Sequence, residues 1–450
     1  MPDFTDTIAA LATPTGTSAI AVVRISGPDT MRIAGELSGA APLPRRLRRV
    51  DYPTAHGELL DEVLLVYFAA PKSYTGEDSL EISCHGNPFI AQKILEDLFR
   101  RGCRAANPGE FTQRAFLNGK LDLSQAEAVM DLIHAQSDRA IEAANQQLRG
   151  SLGRRMDGLI SRLVQLLATV EAYIDFPDED LPPEDRTFVA AELQGLMKET
   201  DRLLATSRYG ELLRDGVKTV IIGRPNVGKS SLLNRLVGKE RAIVSSEPGT
   251  TRDFIEERLM VGPHCLRIID TAGLNPSPAP LEKLGMDKTL ERIAEADLFM
   301  LVFDGPESSS ELAVELRERL RPDNTVIVRN KSDLGYIWRA DDFAGFQTVQ
   351  VSALQGTGIA ALGDALVSAA DRLSPELGNE IVAINARHAR ALTDAQSALR
   401  SAESNLALGS AVELLASDLR TVLDAFSQIS GRVDNEAVLD ALFASFCIGK

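Results

Sequence analysis

The chain has 450 residues, of which 44% are hydrophobic and 25% charged, with a net charge of -16. These totals describe ordinary globular domains, about two to four of them, and argue against a protein that coats nucleic acid by itself, which needs a basic face. Its four cysteines, Cys84, Cys103, Cys265 and Cys447, form no C-x-x-C pair, so reduced thiols are expected rather than a zinc or disulfide framework.

The first residues carry Asp3 and Asp6 and no basic stretch, so no secretory signal is expected there. With no apolar run of membrane-spanning length, a cytoplasmic location is expected. Residues 1–120 read as mixed α/β. "SAIAVVRIS" and "DEVLLVYFAA" are short apolar runs, "DSLEISCHG" alternates like a half-buried strand, and "PFIAQKILEDLFRRG" reads as a helix stopped by Gly102. "PRRLRR" at 44–49 reads as a solvated basic turn ahead of an RNA contact, because it holds no aromatic residue to stack on bases. Cys84 and His85 have no third ligand spaced nearby, and Cys84 sits in an alternating strand, so a structural role is preferred to a metal site.

Helical sequence takes over at about residue 121. "SQAE" reads as a capping box with Ser124 as cap and Glu127 at the third position, followed by Val129, Met130, Ile133, Ile141 and Leu148 at helical spacing. Pro177, in the acidic stretch "DFPDEDLPPED", ends this run, and one further helix is expected over about 187–209. From 216 to 378 strands and helices alternate. Residues 379–450 are again helical, with Val412, Leu415, Leu419, Val422, Leu423, Phe426 and Ile429 on one stripe. A final helix carries Val438, Leu439, Leu442, Phe443 and Phe446. The fold class expected is therefore multidomain: an N-terminal α/β domain (1–120) and a helical domain (121–215 and 379–450). An α/β domain (216–378) is inserted in the latter.

The inserted block carries the chemistry. Gly223 to Ser230 spells G-x-x-x-x-G-K-S between a strand and a helix. In such a loop Asn226, Val227, Gly228, Lys229, Ser230 and Ser231 surround phosphates, Lys229 neutralises charge, and Ser230 offers its hydroxyl to Mg2+. "DTAG" (Asp270, Thr271, Ala272, Gly273) follows the next strand. "NKSD" (Asn330, Lys331, Ser332, Asp333) suits guanine, because a carboxylate can accept from its adjacent N1–H and N2–H. Ser352, Ala353 and Leu354 can support the base. Ser245, Ser246, Glu247, Pro248, Gly249, Thr250 and Thr251 occupy the place of a first switch, with Thr251 as a second Mg2+ ligand. The ordered set resembles the Ras-type translation-factor class of GTPases. One position differs: Leu274 stands where Ras-type enzymes carry a water-orienting Gln, so another group must assist. Asn226 and Glu282 are candidates, although spacing alone reads each as an ordinary surface polar residue.

"NPGEFTQRAFLNGKLDLSQAEAV", "GRPNVGKSSLLN", "DFPDED" and the terminal "CIGK" together resemble the MnmE (TrmE) family of tRNA-modification GTPases over essentially the whole chain. The resemblance implies a homodimer through a folate-binding N-terminal domain. It also implies a flavoprotein partner, MnmG (GidA), which brings the FAD. Together they would install an aminomethyl or carboxymethylaminomethyl group at C5 of the wobble uridine of certain tRNAs. The carbon would come from a tetrahydrofolate one-carbon derivative, 5-formyl or 5,10-methylene. It implies K+ held by Asn226, Ser245, Glu247 and Thr250, with Glu282 as catalytic glutamate. Arg24, Glu81, Lys120 and Lys450 match the folate contacts, with Cys447 beside the one-carbon group. A ribosome-assembly GTPase that binds RNA without modifying it is the alternative. Against it, no second phosphate loop and no G-x-x-G in an α/β context after residue 380 is found.

Overall fold

A computed structural model describes residues 5–54, 57–175, 183–224, 226–239, 257–270, 295–304, 314–335, 343–373, 382–431, 439, 442–444 and 446–449. The chain divides into two compact units, one of residues 1–130, 153–157 and 427–450, the other of residues 131–152 and 158–426.

In the first unit the strands are β1 (Ile8–Leu11), β2 (Ile20–Ser26), β3 (Arg48–Pro53), β4 (Leu59–Phe68), β5 (Ser79–His85) and β6 (Arg104–Ala105). They form one sheet in the order β3-β4-β5-β2-β1-β6, antiparallel except for β1 with β6. Three helices accompany it: α1 (Thr30–Ser38), α2 (Pro88–Arg100) and α3 (Glu110–Leu117). Alternation sets the core. Val23 and Ile25, Val63, Leu65 and Tyr67, and Leu80 and Ile82 turn inward and pack with Ile33 and Leu37 of α1 and Ile94 and Leu98 of α2. Asn87 caps α2 through its side chain, with Pro88 at the first helical position.

α4 (Leu123–His134) begins two residues earlier than the "SQAE" reading expects. Asp122 is its cap: Asp122 Oδ1 accepts from the Gln125 N–H at 2.8 Å, and the Asp122 N–H donates to Gln125 Oε1 at 2.9 Å. This is a capping box displaced by two residues, because a carboxylate that also accepts the Ser124 hydroxyl (2.6 Å) outcompetes Ser124 for the end. The C-terminal stretch belongs to this unit. Leu439, Phe443 and Phe446 pack with Leu123, Ala126 and Phe116.

In the second unit the helices include α5 (Asp138–Leu148), α7 (Pro183–Ala205), α8 (Ser207–Asp215) and α12 (Ala386–Leu408), and α6 (Ser151–Asp175) and α13 (Val412–Ser430) run mostly within it. The expected helix over 187–209 is two helices, broken at Thr206, whose hydroxyl and N–H both turn back to the Leu203 carbonyl. Pro177 lies outside the described residues. The apolar stripe read across α4 and α5 is not the buried one: Ile133 and Ile141 are exposed, while Ala140, Ala143, Ala144 and Gln147 are buried. Small side chains allow the close approach, so burial here follows fit rather than hydrophobic size. In α13 Leu415, Leu419, Val422, Phe426 and Ile429 are buried as the stripe predicts.

The second sheet has β7 (Val217–Ile222), β8 (Glu257–Val261), β9 (His264–Asp270), β10 (Leu298–Phe303), β11 (Thr325–Arg329) and β12 (Gln347–Gln350). Its order is β12-β11-β10-β7-β9-β8, all parallel except the β8–β9 hairpin. All six residues of β10 are buried, as expected of a strand covered on both faces. Around the sheet are α9 (Lys229–Lys239), α10 (Val314–Arg317) and α11 (Ile359–Arg372). Val302, Val328 and Ile221 share a core with Leu362 and Leu366 of α11, and Tyr209, Leu212 and Leu213 of α8 join the same core.

Candidate functional site: a nucleotide loop and a paired arginine

In an open parallel sheet the loops after the strands' carboxyl ends converge, which makes that edge the place for a ligand. Here the phosphate loop follows β7, Asp270 ends β9, Asp304 follows β10, "NKSD" follows β11 and Ser352 to Leu354 follow β12.

Backbone geometry shapes the phosphate loop. Asn226 has φ 64° and Gly228 φ 95°. Left-handed residues of this kind curl successive N–H groups toward one concave surface, an arrangement that receives anions. A side chain at Gly228 would place its Cβ 2.4 Å from Asn330 Nδ2, and one at Gly223 would place it 2.4 Å from the Val302 carbonyl. Both positions therefore demand glycine on space, and Gly228 demands it on torsion as well. Lys229 Nζ donates to the carbonyls of Gly223 (2.7 Å) and Arg224 (3.0 Å), which holds its charge over the loop. Ser230 is exposed in the first turn of α9, and Val227 is buried beneath.

Asn330 is the link between phosphate and base elements. Buried, it donates from Nδ2 to the Val227 carbonyl (2.8 Å) and accepts at Oδ1 from the Ala353 N–H (3.0 Å). The Ser332 N–H donates to the Val351 carbonyl (3.1 Å). Lys331 has φ 57° and pairs with Asp304. Asp333 is exposed on a short 3-10 turn. Ser352 is buried and its Oγ accepts from the Gln355 N–H at 3.1 Å, while Leu354 is exposed. Arg235 of α9 donates to the carbonyls of Ala353 (2.9 Å) and Leu354 (2.7 Å) and so braces this loop. Arg235 and Asp304 carry no sequence signal of their own; each sits in a stretch that reads as an ordinary helix or strand end.

Asp270 is placed at the end of β9, opposite Ile221. Ser245, Ser246, Glu247, Pro248, Gly249, Thr250, Thr251, Thr271, Ala272, Gly273 and Glu282 lie outside the described residues.

A second constellation lies in the first unit. Arg24 on β2 and Glu81 on β5 are cross-strand partners. Arg24 donates from Nη2 (2.8 Å) and Nε (3.1 Å) to Glu81 Oε1, and from Nη1 to the Gly449 carbonyl (3.4 Å). Its guanidinium stands 5.6 Å from the Tyr74 ring centroid and 5.8 Å from that of Phe111. Tyr74 and Phe111 are the residues that sequence reasoning missed, since an aromatic in a loop or on a helix gives no sign of which cation it meets. Burial, opposed by the Thr112 hydroxyl and by Arg24, leaves the Tyr74 phenol above its ordinary range. Lys120 is not in this cluster by direct contact: its Nζ donates to the Pro71 carbonyl (2.9 Å), and its chain lies against Gly76.

The C-terminal tail is pinned at three points. The Gly109 N–H donates to the Cys447 carbonyl (3.3 Å), Arg24 reaches Gly449, and Gly449, with φ 94°, packs so tightly that a Cβ would stand 2.3 Å from the Leu11 carbonyl. Cys447 is exposed. Lys450 lies outside the described residues.

A family model for the MnmE helical domain matches residues 123–447, and one for the N-terminus of the GTP-binding protein TrmE matches residues 7–120. The protein named tRNA modification GTPase MnmE in Opitutus terrae is 61% identical over 454 residues, covering 100% of both chains. Its counterpart in Akkermansia muciniphila is 43% identical over 455 residues, again covering 100% of both, and that in Aquifex aeolicus is 39% identical over 452 residues, covering 98% of this chain and 99% of its own. Matched from end to end by such relatives, the chain belongs to the MnmE family of tRNA modification GTPases.

Proposed function

We propose that this chain hydrolyses GTP in the service of modifying C5 of the wobble uridine of certain tRNAs, as a homodimer working with a flavoprotein of the MnmG kind in the cytoplasm. The observation that supports guanine nucleotide use most directly is Asn330, which ties the phosphate loop at Val227 to the base loop at Ala353 through one buried side chain. A positioned loop of this kind suits GTP: Asp333 can accept from the guanine edge, Lys229 can meet the β- and γ-phosphates, and the hydroxyl of Ser230 can reach Mg2+. Mg2+, when bound, neutralises phosphate charge. Thr251 is its proposed second protein ligand. Leu274 leaves the site without a water-orienting Gln; K+ held by Asn226, Ser245, Glu247 and Thr250 is proposed to supply positive charge there, with Glu282 orienting water.

The Arg24–Glu81 pair is the proposed folate site. A guanidinium and a carboxylate side by side, with Tyr74 next to them, offer both donors and acceptors to a planar heterocycle. Tetrahydrofolate, when bound, supplies a one-carbon unit; Lys120 and Lys450 are proposed to meet its anionic part and Cys447 to face the carbon. The test is mass spectrometry of wobble uridines in tRNA from cells lacking the gene, complemented with the wild type and with Arg24→Ala. Restoration by the first and not the second is expected. Unchanged wobble uridines in the deletion strain would overturn the reading and favour an RNA-binding switch.

A further inference from the structure

The basic turn at Pro44–Arg49 takes no part in either constellation above. It forms one wall of a cleft of about 410 Å³ in the first unit. Ala34 and Ser38 of α1, Leu43 of the connecting loop, and Leu65, Tyr67 and Leu80 of β4 and β5 line it as well. This volume lies within the usual range for small-molecule sites, and the lining is mainly aliphatic, as such sites are.

Two features give the cleft a chemical preference. The first is Tyr67. Its side chain is buried, and its Oη has no hydrogen-bond partner among the described residues. A buried phenol ordinarily finds one. Burial, and secondarily the carboxylate of Asp78 close by but outside hydrogen-bonding geometry, pushes this phenol up to about 12, so it remains a donor. The second is the state of the arginines. Arg45 is committed, its backbone N–H to the Tyr67 carbonyl (2.7 Å) and its Nη2 to the Lys72 carbonyl (3.1 Å), and Arg49 pairs with Glu62. Arg46 and Arg48, which line the cleft, make no side-chain hydrogen bond or ion pair among the described residues, and both are exposed. In a chain of net charge -16, two uncommitted guanidiniums at the mouth of an aliphatic cleft select an anion.

We infer that this cleft binds a compact amphipathic anion, with an apolar body on Leu65 and Leu80, a carboxylate or phosphate on Arg46 and Arg48, and a hydrogen-bond acceptor at its inner end for Tyr67. Arginine forks suit both head groups, and the two sources are separated by competition with the corresponding carboxylate and phosphate ester. The cleft has no exposed aromatic face, which disfavours an unstacked RNA base as the occupant.

The test uses the full chain and 6-hydroxy-2-naphthoate, a fluorescent probe with a carboxylate at one end and a hydroxyl at the other, compared with 2-naphthoate. Saturable binding is expected, not displaced by 5-formyltetrahydrofolate, and tighter for the hydroxylated probe by about fivefold, the scale of one hydrogen bond. Tyr67→Phe should erase that difference, and Arg46→Glu with Arg48→Glu should weaken both probes about tenfold or more with the thermal transition unchanged. Absence of saturable binding up to millimolar probe, or binding indifferent to the arginine substitutions, would overturn the proposal. So would displacement of the probe by tRNA together with loss of tRNA binding in the arginine variant, which would make the turn an RNA contact.

Discussion

Arg24 on one strand and Gly449 at the far end of the chain are joined by a single hydrogen bond, Nη1 to carbonyl at 3.4 Å. The same guanidinium is held by Glu81, so the tail is set against a side chain whose own direction is fixed. Cys447 stands two residues away, exposed, with its backbone anchored at Gly109.

From that arrangement Cys447→Ser should leave the fold and GTP turnover unchanged and abolish tRNA modification. The thiol contributes no buried packing, so its loss should not move the thermal transition. Modification at the wild-type rate would deny the cysteine a chemical role and leave the tail to act only through Lys450.

Asn330→Ala should be costly in a specific way. It strips the partner from the Val227 carbonyl and from the Ala353 N–H, both interior groups, at about 2 kcal/mol of stability. GTP affinity should fall about tenfold or more, because the phosphate and base loops lose their common brace. Asn330→Asp keeps the acceptor for Ala353 and loses the donor to Val227, so an intermediate affinity in a fluorescent-nucleotide titration is the expected signature. Equal affinities for all three proteins would contradict the bracing role.

GTP turnover should be faster in potassium than in sodium, and Asn226→Ala should remove the difference while leaving nucleotide binding largely intact. Glu282→Ala should slow hydrolysis strongly with little change in GTP affinity, the pattern of a group used in the transition state. Equal rates in the two salts for the wild type would end the potassium proposal. Normal turnover in the glutamate variant would remove Glu282 from the reaction.

The first unit should weaken on acidification through Glu110. Burial alone would raise this carboxyl, but hydrogen bonds from Arg104, from the Asn107 N–H and from buried Arg114 outweigh it and hold it below its ordinary 4.5. A carboxyl lowered by folding adds stability above the ordinary value, and that contribution is lost as pH falls through the lower folded value. Melting temperatures should therefore hold near neutrality and decline below about pH 4.5. Glu110→Gln should cost about 3 kcal/mol at pH 7 and flatten that decline. A variant with the wild-type acid profile would place the sensitivity elsewhere.

Several features were legible in the residues alone because they are local. Strand alternation in 79–85, the α13 stripe and the phosphate loop each depend on neighbours in sequence, and the structure has β5, α13 and the left-handed Gly228 where those patterns lie. Other features needed the folded chain because they rest on competition or distance. Asp122 displaced Ser124 as the cap of α4 because its carboxylate accepts from both Ser124 and Gln125. Alanines rather than isoleucines became the buried face of α5, since close packing rewards small volume. The residues beside Arg24 come from a loop, a helix and the chain's far end, and no spacing rule links positions 24, 74, 111 and 449. Periodicity reports the face that a segment turns inward; which side chains then meet is set by how the segments pack, which only the tertiary structure decides.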